Sequence, residues 1–136
     1  MNIAIAIIEH PLNGSFLIAQ RRSDVHLADF WEFPGGKCMP GESLQHCVVR
    51  ETMEEVGLSV WVVEEWPSLE HTYPGLTVTL FPFLCHSDSI DARPLGNRKV
   101  EWVQPSDLDM YAFPEANIPL IRRLQSRRFH PRPGVK

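Results

Sequence analysis

Basic excess, long apolar runs and cysteine are scarce in this sequence of 136 residues, and each shortage excludes something. Lys and Arg number 13 against 17 Asp and Glu, a net charge of −4. That balance argues against a protein that holds DNA or RNA through its phosphates. No apolar run approaches the roughly 18 residues of a membrane span. The apolar start, Met1 to Ile8, has no basic segment and no small-residue cleavage site, so it reads as a strand and not as a secretory signal. Cysteine occurs only at Cys38, Cys47 and Cys85, with no Cys-x-x-Cys pair. An odd, scattered set suggests neither a disulfide framework nor a zinc site, and a reducing cytoplasm is the expected compartment. The length suits one domain with its own core. It is expected over 1–129, with the Pro- and Gly-containing segment 130–136 as a flexible tail.

What the sequence does have is an ordered set of acidic residues in 36–58. This stretch reads Gly-Lys-Cys-Met-Pro-Gly-Glu, seven residues, then Arg-Glu-Thr-Met-Glu-Glu-Val-Gly-Leu, and it holds Glu42, Glu51, Glu54 and Glu55. Pro40 and Gly41 mark a loop, Ser43 is an N-cap residue and Gly57 a C′ residue, which predicts a helix over 44–56. Leu44, Cys47 and Val48 form one stripe of that helix, and Glu51, Glu54 and Glu55 continue it at i, i+3 and i+4. Such neighbours repel by a few tenths of a kcal/mol per pair, and the helix C-terminus disfavours negative charge. A divalent cation is the simplest compensation. Hard oxygen ligands suit Mg²⁺ or Mn²⁺, which in turn suit a phosphate substrate. Arg50, four residues before Glu54, is placed to hold that carboxylate.

Around this stretch the chain is mostly β-forming. Residues 2–8 and 15–20 read as strands joined by a turn, and so as a hairpin. Arg21, Arg22 and His26 follow in a loop that is either solvated or holds a phosphate or a base edge. In 30–37, Trp31 and Phe33 alternate with Glu32 in a short strand, as core residues or as the wall of a base pocket. Pro34, Gly35 and Gly36 then form an open turn with accessible carbonyls, and Lys37 is free to screen phosphate. Residues 65–85 read as a hairpin about Tyr73-Pro74-Gly75, with Pro82 at an edge or bulge. A flexible loop over 86–97 leads to a last strand at 99–103. A turn or short helix over 105–109 precedes a final helix that opens at 113–117 and runs to about 128. Its apolar face is Ile118, Leu120, Ile121 and Leu124, and its arginines are solvated.

The pattern in 36–58 resembles the Nudix box, the signature of the Nudix hydrolase family, with Thr52 where the family has an aliphatic residue. Trp31-Glu32-Phe33-Pro34-Gly35-Gly36-Lys37 is similar to the segment that leads into the box in the MutT-type branch. Glu101-Trp102 and Phe113-Pro114-Glu115-Ala116-Asn117 match two further segments of that branch. The resemblance implies an α/β Nudix fold, a mixed β-sheet sandwiched between helices. It implies Mg²⁺, or Mn²⁺, held by the Gly35 carbonyl, Glu51, Glu54, Glu55 and Glu101. Glu51, Glu54, Arg50 and Glu101 would carry catalysis, with Glu51 and Glu101 both candidates for the general base. Arg22, His26, Glu32, Phe33, Pro34, Gly35 and Lys37 would contact substrate, and Asn117 would read the base. The implied reaction splits a nucleoside triphosphate into monophosphate and pyrophosphate, with 8-oxo-dGTP as the favoured substrate. Leu76 stands where the resemblance to MutT-type proteins implies a long polar or basic residue, and a related branch cleaves CTP and modified pyrimidine nucleotides. A non-catalytic nucleotide- or lesion-binding module is the third reading. The expected partner is a small nucleotide, with no nucleic acid and no membrane, and the expected state a monomer or homodimer.

Overall fold

A computed structural model describes residues 1–131; the tail expected over 130–136 falls, from 132 on, outside the described residues. The chain runs β1 (Asn2–Ile8), β2 (Phe16–Gln20), β3 (Trp31–Glu32), β4 (Gly35–Lys37), α1 (Leu44–Val56), β5 (Val60–Glu65), β6 (Leu69–Tyr73), β7 (Leu76–Ser87), β8 (Lys99–Val103) and α2 (Ile118–Ser126). Short 3-10 turns fill Pro105–Met110 and Glu115–Asn117, so the last helix starts later than the sequence suggests.

The side-chain alternation of β1 sets the layers. Ala4, Ala6 and Ile8 face Val48 and Val56 of α1. Ile5 and Ile7 face the other way, into a cluster with Leu120, Ile121 and Leu124 of α2. A strand buried on both faces has no use for polar alternation, which is why β1 is a continuous apolar run. Small residues on one side let α1 approach closely. The expected mixed sheet between helices is borne out. Five strands form one sheet, ordered β4-β1-β7-β5 with β6 also on β7, and β3-β2-β8 form a second. The β1–β7 pair is parallel and the other pairings are antiparallel. No helix among the described residues is long and apolar enough to cross a membrane.

Three local expectations need correction. β1 and β2 do not form a hairpin: β1 has β7 on one edge and β4 on the other, leaving a single bridge between Glu9 and Phe16. Pro82 sits inside a central strand, opposite Ile5. Its missing N–H is harmless because β7 changes partner there, from β6 up to Leu80 to β5 from Phe83 onward. The segment expected to be a flexible loop before β8 is docked on the end of α1. The amide of Arg93 donates to Val56 O at 2.9 Å, and those of Leu95 and Gly96 to Glu55 O at 3.0 and 3.1 Å. These carbonyls have no partner within the helix, so the loop meets an existing demand.

The cysteines give a fourth correction. Cys38 and Cys47 form a disulfide, with their Cα atoms 5.4 Å apart, and Cys85 is buried and free. The turn at Met39–Glu42 folds the chain back from β4 onto α1 and brings together residues that sequence separation keeps apart. Reduction of this pair is expected to lower the unfolding free energy by about 2–3 kcal/mol, from the loop it closes. Urea unfolding with and without a phosphine reductant measures it, and the Cys38→Ser variant should lose that reductant dependence.

Candidate active site

The acidic end of α1 is built on one arginine. Ser43 caps the helix, its Oγ accepting the His46 N–H at 3.1 Å, and Gly57 closes it in the left-handed region at φ 72°. Thr52, where the family pattern has an aliphatic residue, is fully buried and donates its hydroxyl to Val48 O at 2.6 Å, so the helix absorbs its polarity. Arg50 donates to Glu42 at 2.6 and 2.8 Å, to Glu51 at 2.9 Å and to Glu54 at 3.0 Å. Glu42 also accepts the Met39 amide at 3.1 Å. The bonds from Arg50, and then the one from Met39, hold its carboxyl well below the usual carboxylate range. The Arg50–Glu54 contact was legible in the spacing. The anchoring of Arg50 by Glu42 was not, because it spans a loop. Gly36 lies directly under Glu51: a Cβ there would overlap the Glu51 carboxylate.

Glu55 lies deeper. It accepts the Gly35 N–H at 3.0 Å, and its carboxyl is pushed up to about 8, chiefly by burial and further by the charges of Glu32 and Glu51. Among the described residues no group of acidic, His or Cys side chains is already drawn together as a ligand set; Arg50 holds Glu51 and Glu54, along with Glu42. The donor set nonetheless fits a divalent cation. It is all hard oxygen, and Glu55 lies beside the charges of Glu32 and Glu51, a crowding that a cation would relieve. Glu51, Glu54, Glu55 and the Gly35 carbonyl are the groups that would hold it. Without metal, Glu55 takes up its proton more readily folded than unfolded. Its stabilising effect is therefore complete below the ordinary carboxylate range and is lost as pH rises through about 8. The metal-free melting temperature should fall over that window. Divalent cation should restore it most at the alkaline end, and Glu55→Gln should flatten the slope.

Beside Glu55 runs a polar row. Glu32 on β3 accepts from Arg21 at 2.9 Å and from Asn97 at 3.1 Å. Burial raises its carboxyl, and Arg21 then Asn97 pull it back. Arg21 and Glu32 line both of two neighbouring cavities. The larger, about 510 Å³, is walled by Ile3, Ile5, Phe33, Val78, Leu80 and Asn117, with His26, His71, Tyr73 and Leu76 completing it. The smaller, about 200 Å³, is bounded by Arg22, Glu55, Gly96 and Asn97. Asn117 is buried, and the His26 and His71 rings meet Tyr73 edge-on at 6.4 and 4.6 Å. Phe33, His26, Glu32 and Asn117 thus line one cavity. Arg22 reaches the smaller cavity but is tied to Asp24 at 2.6 Å, and Arg21 is the arginine at the junction. Pro34 is buried and acts through its carbonyl, which takes the Ala6 N–H at 2.7 Å. Lys37 is exposed and lies in an outer groove with Met39, Pro40 and Glu42, away from the larger cavity.

Glu101 is the expectation the structure overturns. On β8 it alternates with Val100 and Trp102, which pack on the α1 side, while Val103 and its cross-strand neighbour Phe16 pack in the opposite cluster, as does Ile18, the residue paired with Glu101. Glu101 therefore projects away from α1. It accepts the Tyr111 hydroxyl at 2.7 Å, which, with burial, pushes that phenol up to about 12. The period-two rule read on β8 was the available signal. Asn97 is the residue that sequence reasoning missed; Arg21, read with Arg22 as either solvated or holding a phosphate or base edge, lines both cavities.

A loop-helix bearing three carboxylates, seated against a mixed sheet and beside an apolar cavity, defines a hydrolase of the Nudix family, and the chain belongs to it: the NUDIX domain model matches residues 4–123. Members of this family generally use a divalent metal ion. The chain is 35% identical over 127 residues to the 8-oxo-dGTP diphosphatase of Escherichia coli K12, covering 92% of this chain and 96% of that enzyme. It is 30% identical over 128 residues to the CTP pyrophosphohydrolase of the same organism, covering 94% and 93%. The fold superposes on the crystal structure of a MutT protein from Methanosarcina mazei with a TM-score of 0.82, at 24% identity and covering 92% of each chain.

Proposed function

We propose that this Nudix hydrolase cleaves 8-oxo-dGTP to the monophosphate and pyrophosphate with Mg²⁺, Mn²⁺ serving in its place, and so clears oxidised nucleotide from the cytoplasmic pool before it reaches DNA. The observation that carries the reading is the shared wall of the two cavities. A purine fits the larger, against Phe33 and Asn117. Its phosphates then pass Arg21 and Glu32 toward Glu55. Asn117 offers a donor and an acceptor to the base edge. Arg21 meets phosphate charge, and Glu51 and Glu55 are placed to orient a water and take its proton. When bound, the cation neutralises phosphate charge and lowers the pKa of bound water. With Glu101 facing away, the base is one of the α1 carboxylates.

The pyrimidine reading rests on Leu76 at the cavity mouth and on the 30% identity to the CTP enzyme. The complete acidic set on α1 disfavours a non-catalytic module. Asn117→Ala is expected to lower kcat/KM for 8-oxo-dGTP by about 10²-fold, with a smaller effect on dGTP. Steady-state pyrophosphate release measures both, and an equal loss on the two nucleotides would remove Asn117 as the base reader.

A further inference from the structure

The amide of Asn97 is half satisfied. The side chain is 9% exposed. Its Nδ2 donates to Glu32 at 3.1 Å, whereas its Oδ1 is buried without a hydrogen-bond partner. The orientation is fixed by chemistry, since a carboxylate accepts and only the amide nitrogen can donate to it. A buried acceptor left unpaired costs stability unless something absent from the protein itself completes it. Asn97 lines the 200 Å³ cavity together with Glu32, Glu55 and Arg21. The position is built: Leu95 and Gly96 hang on the backbone carbonyl of Glu55 at 3.0 and 3.1 Å, so the last turn of α1 carries Asn97 with it.

The missing partner must be a donor or a cation. Phosphate oxygens are acceptors and cannot serve. Arg21 is engaged with Glu32 and with His26 O at 2.9 Å each, and Arg22 with Asp24. The cavity has room for several waters, each of which needs two or more polar partners. We propose that Asn97 is a positioning residue for the divalent cation at α1: its Oδ1 accepts a hydrogen bond from a water in the hydration shell of the cation that Glu55 holds. The inference rests on the metal-dependent reading above and adds to it an outer partner supplied by the loop before β8. Such partners commonly govern metal affinity by about 10–100-fold.

Calorimetric titration of the full chain with Mn²⁺ alone, without nucleotide, tests it. Asn97→Leu keeps the volume and removes both the acceptor and the donor to Glu32, and comparison with Asn97→Asp separates the two. Its Mn²⁺ dissociation constant should rise about 10–100-fold while the metal-free melting temperature stays close to that of wild type. An affinity within about twofold of wild type overturns the proposal. Asn97→Asp keeps an acceptor and removes the donor to Glu32. It should bind Mn²⁺ at least as tightly as wild type, and it decides the matter alone should the leucine variant not fold. A tenfold loss in Asn97→Asp would place the role of Asn97 in its bond to Glu32 and overturn the proposal. A wild-type chain that takes up no Mn²⁺ overturns the metal-dependent reading itself, a result distinct from either variant's.

Discussion

Replacing Glu51 or Glu54 by glutamine should lower kcat by about 10²–10⁴-fold and leave the fold in place, whereas Glu101→Gln should change kcat by less than about threefold. The contrast follows from position. Glu51 and Glu54 share the Nη1 of Arg50 at 2.9 and 3.0 Å, and glutamine keeps the shape while removing the charge that would meet a cation. The Glu54 side chain is 58% exposed, so little packing depends on it. Glu101 is on the far face of its sheet, bonded to Tyr111. Steady-state kinetics with Mg²⁺, beside melting curves, measures all three. A comparable loss in Glu101→Gln would return that residue to the catalytic group and contradict the placement of β8.

The two glycines before the helix should fail in opposite ways. Gly36→Ala brings a Cβ against the Glu51 carboxylate, the free end of a side chain that can swing aside. The fold should survive and turnover should fall by about 10²-fold, the usual consequence of displacing a reacting group by roughly 1 Å. Gly35→Ala has no such escape. Its φ is +153°, and the new Cβ meets the Ala4 carbonyl and lies 2.8 Å from the Ile5 Cα, both backbone. Strain and overpacking together should cost about 3 kcal/mol or more, lowering the melting temperature by about 10 °C. Circular dichroism melts separate the two. A Gly36→Ala enzyme with wild-type kcat would mean that Glu51 does not work from where it stands.

Local chemistry was legible and long-range partnership was not. α1 could be read to the residue because Ser43 and Gly57 cap it through bonds three and four residues away, and the turn at Tyr73-Pro74-Gly75 joins strands that pair immediately beside it. The β1–β2 hairpin was misread because nothing in β1 announces that β7, some 80 residues on, takes one of its edges. The loop before β8 looked flexible from its Pro and Gly content, and only the unpaired carbonyls at the end of α1 explain why it is docked. The anchoring of Arg50 by Glu42, the bond of Arg21 to Glu32 and the place of Asn97 escaped notice for the same reason: each acts on a residue in another element. Glu101 was misplaced by motif likeness, against the strand alternation that turns it away. The disulfide was hidden because it needs the loop at Met39–Glu42 to fold back first.

The central claim is that the cavity between Phe33 and Asn117 selects an oxidised purine for cleavage at the carboxylates of α1. Initial rates of pyrophosphate release with Mg²⁺ across 8-oxo-dGTP, dGTP, CTP, dCTP, 5-methyl-dCTP, ATP and ADP-ribose test it most directly. The account predicts a kcat/KM for 8-oxo-dGTP above that for dGTP by at least about 10²-fold, the discrimination that a buried hydrogen-bonding site provides. A higher kcat/KM for CTP or a modified cytidine nucleotide would contradict it and assign the cavity to pyrimidines.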